Sequence, residues 1–322
     1  MSTAANRQKN PRFELALLGL LAVLWGSSYL LIKIAVADIP PITLVAMRVS
    51  IAAVFLLLVM WCQGARFPKD GNTWRMLLIQ AFFNSIGSWT VLAWAQQHID
   101  SGLAGVLNST SPIFVFVITL LFTRHEVLTA RKLAGALLGV VGVVLIVGLD
   151  ALRGIGQQVA GQCAVLIGSL LYACAAIYGK RFSSMSPTVA AAGTMVWATV
   201  WLAPLSLVVD RPWTLSPPAN AIVAALVLGL VCTGCTLLLY FRLVRTIGSM
   251  GVASQSYLRA GVSVSLGMLV LGEPITPAIG IGLAAVILGV ALINVSSSMY
   301  SLNTKDAKEN NSLDAKDANP RR

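Results

Sequence analysis

The sequence predicts an all-α fold: a polytopic membrane bundle of ten transmembrane helices, built from two inverted five-helix repeats. Three observations carry that expectation. Only 11% of the 322 residues are charged, 57% are hydrophobic and the mean hydropathy is +0.81, whereas a soluble domain carries roughly 25% charged residues. Apolar runs recur almost from end to end, each long enough for a hydrocarbon core about 30 Å thick, which takes about 20 helical residues to cross. Shifted by 147 residues, the chain meets itself without a gap. Lys33 falls on Lys180, Pro40 on Pro187, Gly87 on Gly234, Ser109 on Ser256, Glu126 on Glu273, Thr129 on Thr276, Gly135 on Gly282 and Gly142 on Gly289. The residue types kept are those that bend, break or end apolar helices, so one folding unit is used twice.

The expected crossings are 13–37, 41–63, 74–97, 101–123, 131–149, 158–181, 187–209, 219–244, 250–271 and 276–298. Their apolar character is continuous, whereas a barrel shows segments of about ten residues with period two. The first run exceeds the roughly 7–15 residues of a secretory signal and has no small-residue cleavage site after it, so it reads as a retained helix. The organisation expected is a cytoplasmic segment 1–12, a first repeat 13–150, a second repeat 158–298, and a disordered cytoplasmic tail 301–322 of mostly polar and charged residues.

A net charge of +11 would suggest nucleic acid in a soluble protein, but its placement answers otherwise. With the N-terminus inside, most of the 23 basic residues collect on inner segments, among them Arg7, Lys9, Arg12, Arg66, Lys69, Arg75, Arg124, Arg131, Lys132, Lys180, Arg181, Arg242 and Arg245. The outer loops keep Lys33, Arg153 and Arg211. This asymmetry places both termini in the cytoplasm and removes the need for a nucleic-acid partner. Five crossings per repeat is an odd number, so the second copy enters from the opposite side. Inverted repeats about an axis in the membrane plane are a feature of secondary carriers, with the substrate site near the midplane between the halves.

Cys62, Cys163, Cys174, Cys232 and Cys235 lie in or beside apolar runs, where cysteine acts as a small hydrophobe. The Cys232/Cys235 spacing lacks a second pair of ligands, and neither a metal nor a cofactor is expected.

Residues Ser101 to Val144 contain Ser-Pro-Ile-Phe-Val, Glu126, Leu128-Thr129 and the glycines Gly135, Gly139 and Gly142. The second copy has Leu271-Gly272-Glu273-Pro274-Ile275-Thr276 followed by Gly280, Gly282 and Gly289, and Trp25-Gly26-Ser27-Ser28 and Arg48 stand in the first two helices. This pattern resembles the EamA-type unit of the drug/metabolite transporter superfamily over residues 13 to about 298. Within it the chain is most similar to the YddG-type bacterial exporters of aromatic and other neutral amino acids. The sequence departs from the pattern at His125, where glycine is usual, and at Arg259, where the equivalent of Pro112 is usual.

Arg259 carries the sharpest expectation. It lies about 14 Å into the ninth helix by rise per residue, and intramembrane charges mark functional sites by default. No Asp or Glu lies deep enough to pair with it, so its guanidinium suits a substrate carboxylate. Arg48 is shallower and reads as structural, able to snorkel. Pro112 removes an N–H partner from the Asn108 carbonyl; either that carbonyl and the Asn108 side chain face a cavity and accept from a substrate ammonium, or the proline is an ordinary packing kink. Helical spacing aligns Gln80, Asn84 and Ser88 on the third helix, Asn108 and Ser111 on the fourth, and Gln255 and Arg259 on the ninth. Trp25 and Tyr172 are repeat partners inside helices, either cavity walls or core aromatics. The helix-five and helix-ten glycines fit close packing, within the chain or in a homodimer.

The function expected is a secondary transporter of the bacterial inner membrane, exporting small metabolites, foremost aromatic and other neutral amino acids, by alternating access about a central cavity. Its partners are then the bilayer and a small-molecule substrate. With no deep carboxylate for a proton switch, exchange or facilitated diffusion is expected. Efflux of cationic drugs is the alternative, and it would depend on aromatics rather than Arg259. A membrane-embedded enzyme is the remote one, lacking HExxH, paired carboxylates or a nucleophile beside a base. A pore would need a charged ring or a glycine-rich filter, and neither is evident.

Overall fold

The computed structural model describes residues 11–123, 130–147, 157–182, 184–240, 242–243, 255–274, 276–289 and 291–292. Among them the chain forms ten apolar helices: α1 Pro11–Val36, α2 Pro41–Cys62, α3 Gly71–Ala95, α4 Ser101–Thr123, α5 Ala130–Val147, α6 Gln157–Gly179, α7 Pro187–Val209, α8 Ala219–Tyr240, α9 Gln255–Leu271 and α10 Pro277–Gly289. Seven are long and apolar enough to cross a membrane, and α5, α9 and α10 are shorter apolar helices. Glu126, His125 and the segment 301–322 lie outside the described residues.

Prolines and caps set the boundaries. Pro41 and Pro187 open α2 and α7 at a position that needs no N–H donor. Asp70 caps α3 by accepting from the backbone of Asn72 and Thr73. Gly64 and Gly272 take positive φ where α2 and α9 end.

The packing has pseudo-twofold order. α2 lies along its repeat partner α7; α1 packs on α9 as α6 packs on α4; and α1 and α2 meet α8 as α6 and α7 meet α3. Both α3 and α8 contain a π-helical turn, at Phe82–Gly87 and Leu230–Cys235. The shift of 147 carries the first of these to within one residue of the second. Such turns re-aim side chains and recur at functional sites, and these two face the middle helices from opposite sides.

Glycines set the closest approaches. A methyl on Gly142 would stand 2.8 Å from the Gly282 carbonyl oxygen, and one on Gly289 would stand 2.5 Å from that of Gly135. The repeat-partner glycines of α5 and α10 are thus packed against one another within the chain.

α4 is two helices rather than one kinked helix. It breaks at Ser109–Thr110, between Ser101–Asn108 and Ser111–Thr123. The Asn108 carbonyl that Pro112 was expected to leave open accepts from Ser111 Oγ at 2.8 Å, so Ser111 is spent on satisfying the break. The first half of α4 packs on α9, α1 and α6; the second half turns to α6 and α5.

Candidate functional site

A chain of polar side chains crosses the middle of the bundle. It begins at Arg48 on α2, which is buried, with its guanidinium carbon 3.9 Å from the centre of the Trp89 ring on α3. Arg48 Nε donates to Thr233 Oγ1 at 2.9 Å. Thr233 is held there by the α8 π-turn, where its hydroxyl also donates to the Leu228 carbonyl at 2.8 Å. The Trp89 indole N–H donates to the Tyr172 hydroxyl on α6.

One turn back on α6, Ser169 Oγ donates to Asn108 Oδ1 at 3.0 Å, and Asn108 Nδ2 donates to the Tyr29 hydroxyl at 2.6 Å. The guanidinium carbon of Arg259 on α9 lies 6.0 Å from the Tyr29 ring centre. Seven helices therefore contribute to one connected cluster, with a guanidinium at each end.

The two cations share an unusual property. Among the described residues, Arg48 makes its single protein hydrogen bond to a neutral hydroxyl, and the buried Arg259 Nε has no acceptor. Neither pairs with a carboxylate among the described residues, whose acids (Glu14, Asp38, Asp70, Asp100, Asp210 and Glu273) all sit at helix ends or in turns. A cation over an indole face gains about 2 kcal/mol when desolvated, less than the several kcal/mol that burying an ion costs.

The residues expected from sequence divide between this cluster and other roles. Arg259, Tyr172 and Asn108 belong to the cluster, but every polar atom of the Asn108 side chain is already engaged, as is its carbonyl. An ammonium at this place would share the Asn108 oxygens with Ser169 and Ser111. Gln255, one turn before Arg259, is buried with Oε1 unpartnered.

Ser88 is buried and donates to the Gly168 carbonyl at 2.9 Å, a contact between α3 and α6. Asn84 donates to its neighbour Ser85. Gln80 lies against Gly179 towards the far end of α6, its Oε1 buried without a partner. Trp25 packs on Tyr240, with ring centres 5.4 Å apart, away from Tyr172. Pro112 is half-buried just past the α4 break.

Arg48 is the main correction: it is deep and central, not snorkelling. Tyr29, Trp89, Ser169 and Thr233 went unnoticed in the sequence. The i, i+4 pair Trp25/Tyr29 and the i, i+3 pair Ser169/Tyr172 were the available signals.

At one end of the bundle the helices are tied shut. Glu273, in the turn after α9, accepts from the backbone N–H groups of Ser101 and Gly102 at 2.7 and 2.9 Å and from Ser101 Oγ at 3.0 Å. A carboxylate on the first N–H groups of α4 satisfies groups the helix leaves open and complements its dipole. From the other side, Lys33 Nζ donates to the carbonyls of Gln96 and Ile99 at 2.9 and 2.7 Å. The α3–α4 turn is thus clamped between α1 and the α9–α10 turn. Burial pushes the Asp100 carboxyl in that turn above the ordinary carboxylate range; Glu273 adds to the rise and Lys33 opposes it. Below this clamp, α9 approaches α1 and α4 over glycines. A methyl on Gly26 would stand 2.7 Å from Val262 Cβ, and one on Gly102 would stand 3.2 Å from the Val264 backbone.

A model of the EamA-like transporter family matches residues 13–148 and 159–295, one match to each five-helix unit. The chain belongs to the EamA-like transporter family. It is 27% identical over 282 residues to the uncharacterized inner membrane transporter YedA of Escherichia coli K12, covering 87% of this chain and 90% of that one. It is 26% identical over 277 residues to the uncharacterized transporter YoaV of Bacillus subtilis, covering 85% and 94%. Salmonella typhimurium protein PagO is 23% identical over 289 residues, covering 87% and 92%. A solved crystal structure shares the fold with a TM-score of 0.62 at 19% identity, covering 87% of this chain and 96% of that one.

These relatives support the EamA-like family as a whole rather than its YddG-type branch, and the family is one of transporters, not enzymes. Within the two EamA-like repeats the cluster is asymmetric. Under the shift of 147, Arg48 falls on Met195, Tyr29 on Ala176, Trp89 on Thr236 and Arg259 on Pro112. The scaffold is duplicated, but the charged site is built once.

Proposed function

We propose that this EamA-like transporter is a secondary carrier of the bacterial inner membrane that moves small carboxylate-bearing metabolites by alternating access, with Arg259 as the carboxylate anchor. The observation that carries this reading is Arg259 itself. It is a guanidinium one turn into the described part of α9, beside Tyr29, with a buried and unpartnered Nε and no protein anion among the described residues. A bound carboxylate would supply the missing acceptor in fork geometry. Amino acids are the class the sequence favours. Inner-membrane placement follows the similarity to the inner membrane transporter YedA, and cytoplasmic termini follow the charge asymmetry.

On this topology the Glu273 end faces outward. Its clamp is then the outer gate, closed in this state, while α4 beyond Ser111 diverges from α9 towards α6 and α5. Solute leaves when the Glu273 contacts release and the equivalent inner contacts form. Cationic-drug efflux is disfavoured, because two unneutralised guanidiniums repel such a substrate.

The test is counterflow in proteoliposomes with a panel of labelled carboxylates, amino acids and cationic drugs. Arg259→Gln should lower carboxylate exchange about tenfold or more, in keeping with loss of a charge-assisted contact. Wild-type exchange by that variant would remove the anchor, and exchange of cations alone would favour the efflux reading.

A further inference from the structure

Arg259 has a counterpart that a single carboxylate leaves unanswered. Arg48 is buried among α2, α3 and α8, with one face covered by Trp89 and one donor taken by Thr233. A guanidinium has further donors in a rigid fork, and for Arg48 none of these has an acceptor among the described residues. The polar chain Trp89–Tyr172 and Ser169–Asn108–Tyr29 runs between Arg48 and Arg259. The centre therefore holds two cations and, among the described residues, no anion.

A zwitterionic substrate answers this field poorly. Its carboxylate neutralises one guanidinium, and its ammonium then meets the other. The group that would shield that ammonium, Asn108, has both side-chain positions engaged. A neutral core residue at position 48 would avoid the burial cost altogether, as Met195 does at the equivalent place in the second repeat, where it is buried.

We propose that Arg48 is a second anion anchor, and that the carrier's preferred substrates bear two anionic groups or one doubly charged group: dicarboxylates or phosphate monoesters. This rests on the carrier reading above, with Arg259 as an anion anchor, and specifies the charge its substrates carry. Arg259 takes one anionic end; Arg48, oriented by Trp89 and Thr233, takes the other. The tyrosine hydroxyls between them serve the polar middle of the molecule.

The experiment uses the full-length chain, in detergent for thermal unfolding and in proteoliposomes for counterflow, at constant ionic strength. The probes are succinate, glycerol 3-phosphate, butyrate and phenylalanine. Succinate or glycerol 3-phosphate should raise the unfolding temperature and exchange about tenfold better than butyrate or phenylalanine, and which of the two does so distinguishes the two chemistries.

Arg48→Gln should abolish that preference, lowering exchange of succinate or glycerol 3-phosphate about tenfold, towards that of butyrate. It should also raise the unfolding temperature of the ligand-free protein, because an uncompensated buried charge is gone. Equal response to mono- and dianions in the wild type would overturn the second anchor while leaving Arg259 standing. So would an Arg48→Gln variant that is destabilised without ligand and still prefers dianions. Response to none of the probes would count against the carboxylate reading and the second anchor together.

Discussion

Glu273 and the arginine pair both hold charge away from open water, and they are built in opposite ways. Glu273 receives two backbone N–H groups and a hydroxyl within 3.0 Å. Arg48 and Arg259 receive an indole face, a tyrosine ring and one neutral hydroxyl. The chain supplies the carboxylate with its partners, so that charge holds helices together. Among the described residues it leaves the guanidiniums without anions, and on the proposed reading a substrate that enters and leaves supplies them. On the proposed reading, the satisfied charge is a gate contact and the unsatisfied ones are ligand contacts.

The comparison breaks most directly at Glu273. Glu273→Ala removes three hydrogen bonds to a charged acceptor and should cost about 3 kcal/mol, seen as a lower unfolding temperature in detergent. In a background without the native cysteines, it should also raise labelling of Val264→Cys by a membrane-impermeant maleimide added from the Glu273 side. Arg259→Gln should leave both readings near wild type; equal destabilisation by the two variants would erase the distinction.

A smaller effect tests whether the closed end depends on helix approach as well as on charge. A side chain at Gly105 would run into Ser263 of α9. Gly105→Val should therefore cost about 1–3 kcal/mol through overpacking and increase the same labelling, whereas a neutral outcome would show that α9 shifts freely.

The smallest effect concerns Asp100. Its native carboxyl titrates above the ordinary range, so the native state binds the proton more tightly than the unfolded chain. That contribution is present in acid and is lost as pH rises through the raised value. Asp100→Asn should then match wild type near about pH 3 and unfold slightly higher near about pH 7. A variant less stable at neutral pH would mean that Asp100 serves the Lys33 clamp through its charge.

Helices and their ends were legible in the sequence because they depend on local physics. Ten crossings follow from apolar length, and Pro41 and Pro187 open helices wherever they occur at such a boundary. The break in α4 was half legible: Pro112 announced it, but Ser111 turning back onto the Asn108 carbonyl was not visible. Depth along a helix pointed to Arg259, while the same measure undervalued Arg48, because burial depends on neighbours as well as on distance from the helix end.

By itself, then, the sequence determined an all-helical membrane bundle duplicated every 147 residues, since hydropathy and helix-breaking residues act within a few turns of the chain. Only the tertiary structure decided which polar residues are spent and which are free. Thr233 stands 185 residues from Arg48, and Ser169 stands 61 from Asn108. Whether a buried donor has an acceptor is fixed by helices that meet in space, and no spacing along one helix records that meeting.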